Sequence, residues 1–271
     1  MMPYITIAAL GITIPSYGLM VLIGVLVSLL YIWRAEKKSP LLDADIELTT
    51  IYAVIGTVVG AKVLYILTIL PDFLEEMREV GLTSPEFYMK YLSGGFVFYG
   101  GFLGAFAGAY LYARFARISF DEVCTVLVPV VPLFHVFGRI GCFLEGCCYG
   151  MESERFGIAF TYSQVAPNGV PLLPVQLIES AAELLIFLIL QVMLRKGHKG
   201  VSLLWTWAIL YAITRFVLEF FRGDEYRGVI GGISLSQVIS LALLLFVFAW
   251  ICRSRQNTAA DSQKTTGISQ G

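Results

Sequence analysis

"HVFGRIGCFLEGCCYG", His135–Gly150, sets an arginine between glycines at the end of a long apolar run, and three cysteines follow within a few positions. A charged side chain at such depth costs at least about 2.5 kcal/mol on membrane-insertion scales, so it marks a place where the chain has a use for it. The chain around it has 271 residues, 57% hydrophobic and 14% charged, with a mean hydropathy of +0.76. Soluble domains are about half apolar and about a quarter charged. The departure predicts an all-α polytopic membrane protein. A formal charge of -1 with no basic stripe gives no footprint for nucleic acid. Five cysteines in a chain of this length are not a disulfide scaffold.

Seven apolar runs are long enough, or nearly so, to cross about 30 Å of hydrocarbon. They are Tyr17–Trp33, Leu48–Leu70, Gly95–Tyr112, Val123–Phe143, Pro174–Leu194, Val201–Phe221 and Ile233–Cys252. The first lacks a cleavage-site pattern and is read as a retained span. Residues 1–252 are thus expected to form one seven-helix transmembrane domain, with loops at 71–94 and 144–173. The polar tail 253–271 is expected to be disordered. No internal repeat suggests a transporter built from two related halves.

Basic residues set the orientation. Arg34, Lys37, Lys38, Arg114, Arg117, Arg195, Lys196, Lys199, Arg253, Arg255 and Lys264 fall on one side. Arg78, Lys90, Arg155 and Arg227 fall on the other, spread over longer loops. The first set is predicted to be cytoplasmic, with the N-terminus outside and the C-terminus inside. The Arg139 stretch then ends the fourth span at the outer face.

On the sixth span Tyr211, Arg215, Glu219 and Arg222 recur at i, i+4, i+8 and i+11, which places them on one helical face. Glu219 neutralises only one of the two arginines, so this face is expected to carry surplus positive charge. A planar guanidinium fork in a low dielectric suits phosphate oxygens. With Arg139 at the same outer level, the set predicts a pocket for a lipid headgroup; the competing reading is an ion-pair ladder that only holds helices together. Gly138 and Gly141 flank Arg139 and permit close backbone approach. Gln176, Glu179 and Glu183 share one face of the fifth span as partners for the arginines, or as a purely structural network. Lys62 either snorkels or joins the polar interior. Glycines 94, 95, 100, 101, 104 and 108 give the third span a narrow small-residue face, with Tyr99 among them.

For Cys142, Cys147 and Cys148 several readings compete: small packing residues, an outer-face disulfide, a thiolate activated by Arg139, or a metal site. Metal is disfavoured for want of a fourth ligand. His198 is cytoplasmic and His135 lies about two turns deeper than Cys142. Cys124 and Cys252 sit alone in apolar spans and read as inert.

Four motifs in order then resemble the bacterial prolipoprotein diacylglyceryl transferases over nearly the whole chain. "YGLM" (Tyr17–Met20) resembles the family's first-span motif, and "GRIGCFLEGCCYG" (Gly138–Gly150) its signature G-R-x-G-N-F-x-N-G-E-x-x-G. "PVQLIE" (Pro174–Glu179) is similar to P-x-Q-L-Y-E, and "RFVLEFFR" (Arg215–Arg222) to R-F-x-x-E-F-x-R. The resemblance implies seven spans in this orientation, in the bacterial inner membrane, with a site towards the periplasmic face. It implies transfer of the diacylglyceryl group of phosphatidylglycerol to the lipobox cysteine of a preprolipoprotein signal peptide, forming a thioether and releasing glycerol phosphate. No cofactor or metal is implied. By this mapping Arg139 and Arg215 polarise the phosphate, Glu219 and Arg222 orient the site, and Tyr17 and Tyr211 line it. Gly138, Gly141, Cys142, Gln176 and Glu179 fall on the substrate-binding motifs.

The chain departs from the family pattern at four places. Tyr99 stands where the family has a site histidine. Cys142 and Glu145 replace the two signature asparagines, and Cys147 the signature glutamate. Tyr99 and Glu145 therefore take the catalytic positions that the family fills otherwise. A tyrosine, with a pKa near 10, is a poor base at neutral pH. The departures leave open a paralogue with another acceptor, or a phospholipid-binding protein without catalysis.

Overall fold

The computed structural model describes residues 3–7, 12–81, 84–93, 95, 97–223, 229–230, 233–234 and 236–248. The expected tail 253–271 and Cys252 lie outside these. In chain order the elements are β1 (Tyr4–Ile7), β2 (Ile12–Pro15), α1 (Ser16–Glu36), α2 (Asp43–Thr68), α3 (Leu70–Val80), α4 (Pro85–Ser93), α5 (Phe98–Ala116), α6 (Phe120–Leu127) and α7 (Val130–Glu145). They continue with β3 (Ile158–Ala159), β4 (Pro171–Leu172), α8 (Val175–Arg195), α9 (Val201–Glu219), β5 (Val229–Ile230), β6 (Ile233–Ser234) and α10 (Ser236–Phe248). The three strand pairs are antiparallel and two-stranded.

Among the described residues five helical stretches are long and apolar enough to cross a membrane: Ser16–Glu36, Asp43–Thr68, Phe120–Glu145, Val175–Arg195 and Val201–Glu219. The third and seventh expected runs are helical too, as α5 and α10, but fall short of that measure. In α5 four glycines, three tyrosines and Arg114 lower the hydropathy; the described residues of α10 are fewer than the length requires. The fourth run is helical in two pieces, α6 and α7. Val128 and Pro129 interrupt it, because proline lacks a donor and disfavours helix at the preceding residue.

The chain divides into two compact units, residues 33–127 and residues 1–32 with 128–271. In the first, α2 and α5 pack along facing glycines. A Cβ on Gly56 would overlap the Gly104 carbonyl, one on Gly104 the Gly56 carbonyl, and one on Gly60 the Gly100 carbonyl. Between helices in lipid, such backbone contact replaces the missing hydrophobic drive with dispersion. Residues 71–94, expected as a loop, hold the two short helices α3 and α4. Pro71 opens α3 in its first turn, where a missing N–H costs nothing. Phe73, Phe87 and Tyr91 then cluster with ring centroids 4.9–5.3 Å apart. Lys62 does not snorkel: its Nζ donates to the Tyr91 carbonyl at 2.7 Å, in the last turn of α4 where carbonyls lack helical partners.

The second unit brings α1, α7, α8 and α9 together. Ser180 Oγ donates to the Val136 carbonyl at 3.1 Å, and Gln191 Nε2 to the Tyr31 hydroxyl at 2.9 Å. Residues 144–173 form a small folded cap. Phe160, Ala166 and Leu172 are its buried centre, with Phe143, Tyr149 and Val170 packed around them. Backbone bonds tie the cap to the end of α9: Met151 N to Phe221 O at 2.8 Å and Gly223 N to Tyr149 O at 3.0 Å. These are tertiary pairings between segments far apart in sequence, which is why the segment read as a loop.

Two glycines should respond differently to substitution. Gly104→Val drives side-chain atoms into the Gly56 carbonyl and should cost about 1–3 kcal/mol or more, read as a lower midpoint of thermal unfolding in detergent. At Gly138 an added Cβ meets no atom within 4 Å, so Gly138→Ala should leave the midpoint in place.

Candidate active site

On α7, His135 and Arg139 stand four residues apart; on α8, Glu179 and Glu183 do the same. The pairing is crossed: Arg139 Nη2 lies 2.9 Å from Glu179 Oε1, and His135 Nδ1 lies 2.9 Å from Glu183 Oε1. Reversed order is what antiparallel neighbours with a shared i, i+4 face produce. Arg139 Nε also donates to His135 Nε2 at 3.1 Å. The imidazole therefore spends its Nε2 lone pair on the arginine. It links Arg139 to the Glu183 contact on its other ring nitrogen.

The third face comes from α9. Trp207 and Tyr211 stack with ring centroids 5.6 Å apart, and Tyr211 meets the His135 ring at 5.6 Å. One turn further Arg215 is buried, with its Nη2 2.7 Å from Glu219 Oε2 and 3.1 Å from Ser236 Oγ of α10. Its other terminal nitrogen, Nη1, is buried without a hydrogen-bond partner among the described residues. Buried guanidinium donors are costly unless an acceptor meets them.

On the face of α9 itself Arg215 and Arg222 outnumber Glu219 by one, as expected; across α7 and α8 as well the sum changes. Arg139, Arg215 and Arg222 are matched in number by Glu179, Glu183 and Glu219, two of which belong to the neighbouring helix. Unspent donors and open space remain beside this balance among the described residues. Besides Arg215 Nη1, Arg139 keeps a side chain 14% exposed beside Gly138, where an added Cβ would meet nothing within 4 Å. Gly138 thus borders space rather than a packed neighbour. Gly141 does the packing: a Cβ there would come within 2.9 Å of Tyr17 Cδ2.

Most expected residues gather here. Tyr17 is within electrostatic reach of Arg139 and the three thiols, and Tyr211 of Glu179, Arg139, Arg215 and Glu183. Gln176 acts through the backbone, donating to the Cys147 carbonyl at 2.7 Å. Arg222 pairs through its backbone with Gly150 as an isolated bridge, and its charge reaches Cys148. Glu145 ends α7; Ser163 Oγ donates to its carbonyl at 3.3 Å, but no described contact joins its carboxylate to Arg139. Tyr99 lies in α5, in the other unit, and its side chain is outside those described.

Cys142, Cys147 and Cys148 are free thiols with all Sγ atoms within 4.8 Å of one another. Hydrogen bonding among the thiols, with the charges of Arg222 and Arg139 behind it, pulls the Cys148 thiol far below its ordinary range, and the same bonding pushes Cys147 up. Cys124 is free and buried in α6. Sequence reasoning set His135 aside and did not single out Ser236. For His135 the signal was present, one helical turn before Arg139 and thus on its face. For Ser236 nothing local pointed to Arg215.

The chain as a whole is similar to known proteins. A profile described as prolipoprotein diacylglyceryl transferase matches residues 5–253. A phosphatidylglycerol–prolipoprotein diacylglyceryl transferase of Clostridium tetani is 34% identical over 242 residues, covering 88% of this chain and 93% of its own length. A protein of Clostridium perfringens, numbered 2 under the same name, is 35% identical over 237 residues, with 87% and 89% covered. One from Rickettsia felis is 30% identical over 252 residues, with 88% and 91% covered.

Removing one member of a buried ion pair strands the other. Arg139→Ala should therefore cost about 3–5 kcal/mol of stability in detergent. Arg139→Met combined with Glu179→Met should recover most of that loss, because no charge is left behind. An unchanged unfolding midpoint in Arg139→Ala would show that the pair does not hold α7 to α8.

Proposed function

The chain belongs to the prolipoprotein diacylglyceryl transferase family, and from that premise we propose that it moves the diacylglyceryl group of phosphatidylglycerol onto the lipobox cysteine of preprolipoproteins. The observation that carries the reading is the buried Arg215 Nη1 with unspent donors, on a helix that also meets the Arg139 network through Tyr211. A phosphodiester supplies the missing acceptor oxygens, and guanidinium forks hold such oxygens bidentately.

The reaction needs charge stabilised on a leaving phosphate. The lipobox sulfur attacks a glycerol carbon, a C–S bond forms, and the C–O bond to phosphate breaks with its electron pair going to oxygen. Arg139 and Arg215 receive that charge. Glu179, His135 and Glu183 hold Arg139 in place, and Glu219 with Ser236 holds Arg215. Tyr17 and Tyr211 line the lipid site, Arg222 closes its outer end, and Gln176 fixes the loop that bears Cys147. The thiol proton passes to Glu145 and ends on the released glycerol phosphate or in solvent, since a phosphate monoester has a second pKa near 6. Tyr99 occupies the position of the family's site histidine. The site faces the periplasmic side of the inner membrane, in a seven-span arrangement with the N-terminus outside; the basic loop residues support that orientation. Cysteines at signature positions favour one second reading, a paralogue that keeps the phospholipid pocket and uses another acceptor.

Turnover by the purified protein in phosphatidylglycerol vesicles with a lipobox peptide tests the proposal. The expected result is a peptide heavier by one diacylglyceryl group and an equal release of glycerol phosphate. Arg215→Ala should lower the rate by about 100-fold or more, the loss typical of one charge-stabilising donor. Tyr99→His should retain or raise activity. Bound phosphatidylglycerol with an unmodified peptide would transfer support to the second reading. Near-normal turnover in Arg215→Ala would remove Arg215 from the site.

A further inference from the structure

We propose that Cys142, Cys147 and Cys148 form a three-coordinate site for a soft, thiophilic monovalent d10 ion of the Cu(I) class. The sulfur atoms lie within 4.8 Å of one another. A trigonal site with metal–sulfur bonds of about 2.3 Å needs sulfurs about 4 Å apart, so side-chain rotations of under about 1 Å close it.

The backbone is arranged for this convergence. Helix α7 ends one turn after Cys142 at Gly146, whose φ of 82° is the left-handed stop that glycine permits. Gly146 N and Cys147 N both donate to the Cys142 carbonyl, at 2.9 and 3.1 Å, curling the chain back over Cys142. Cys148 then takes a φ of 57°. For a residue other than glycine that left-handed conformation is strained, and it persists only where surrounding contacts impose it. The contacts are there. Gln176, 1% exposed, grips the Cys147 carbonyl at 2.7 Å. Gly150 N donates to Leu173 O at 3.0 Å, and Gly223 N to Tyr149 O at 3.0 Å. The residues flanking Cys148 on both sides are thus pinned, and its thiol stands with those of Cys142 and Cys147 as a ligand set that the backbone brings together.

Ligand chemistry selects the ion. Thiolates favour Cu(I)-class ions over hard cations. Zinc in structural sites is almost always four-coordinate, and the cluster contains no fourth His, Cys, Asp or Glu ligand among the described residues. Three thiolates around a monovalent ion carry a charge of −2. Arg139 and Arg222, both acting electrostatically on Cys148, lie where they offset it. Binding forms three metal–sulfur bonds and displaces any thiol protons to solvent; no oxidant is consumed.

The test uses the full-length protein, reduced and metal-free in detergent. It is titrated with Cu(I) against a chromogenic Cu(I) chelator, and X-ray absorption reads the copper coordination. The expected result is one Cu(I) per chain with three sulfur neighbours. Cys142→Ser, Cys147→Ser and Cys148→Ser should each weaken binding by about 100-fold or more, while Cys124→Ser binds as the parent does. Circular dichroism confirms that each variant stays helical, and Cys→Ala variants repeat the measurement where serine disturbs the fold. Failure to hold Cu(I), equal binding in the cysteine variants, or tighter binding of Zn(II) would overturn the assignment. A disulfide among the three in protein isolated without reductant, found by alkylation and mass spectrometry, would overturn it as well.

Discussion

Charge buried at depth is the constraint on which the second unit depends. Arg139 cannot sit in a span without a partner, and Glu179, 1% exposed on α8, supplies one. Glu183 is as deeply buried and needs His135 in turn. These crossed contacts fix the register of α7 against α8, because sliding either helix by one turn strands a charge. A buried ion pair is weak evidence for net stability, since desolvation offsets most of its attraction. What it provides is uniqueness: one alignment satisfies the charges and the neighbouring ones do not.

The same constraint prepares the site. Arg139 is held by a carboxylate and an imidazole, and Arg215 by a carboxylate and a serine hydroxyl. Each guanidinium has five donors in a rigid fork, and each is oriented by part of them with some left over. Donors oriented before a ligand arrives need little reorganisation when charge develops on it. Formal charge is balanced across the arginines and glutamates of the network, so what it offers beyond that balance is the geometry of its oriented donors.

The first unit is organised by another rule. Between α2 and α5 the residues that matter are those without side chains. Glycines let the backbones touch, where a Cβ on Gly56, Gly60, Gly100 or Gly104 would overlap a carbonyl. The cost appears in α5, whose glycines and tyrosines leave it less apolar than the helices that meet the length and hydropathy needed to cross a membrane.

The sequence by itself determined the helical membrane class, the positions of the long helices, the ladder on α9 and the family. Hydropathy and periodicity are local properties, and the four motifs are local strings. It also marked Glu179 as a partner of an arginine, though not of which one. Tertiary structure decided what depends on two segments meeting. It gave Glu183 to His135 rather than to an arginine, and Ser236 to Arg215. It turned the segment 144–173 into a folded cap around Phe160, and made helices of 71–94 through the Phe73, Phe87 and Tyr91 cluster. It turned Gly138 towards open space and Gly141 against Tyr17, although the two stand in the same motif. Spacing along a chain says which residues share a face; only packing says what that face meets.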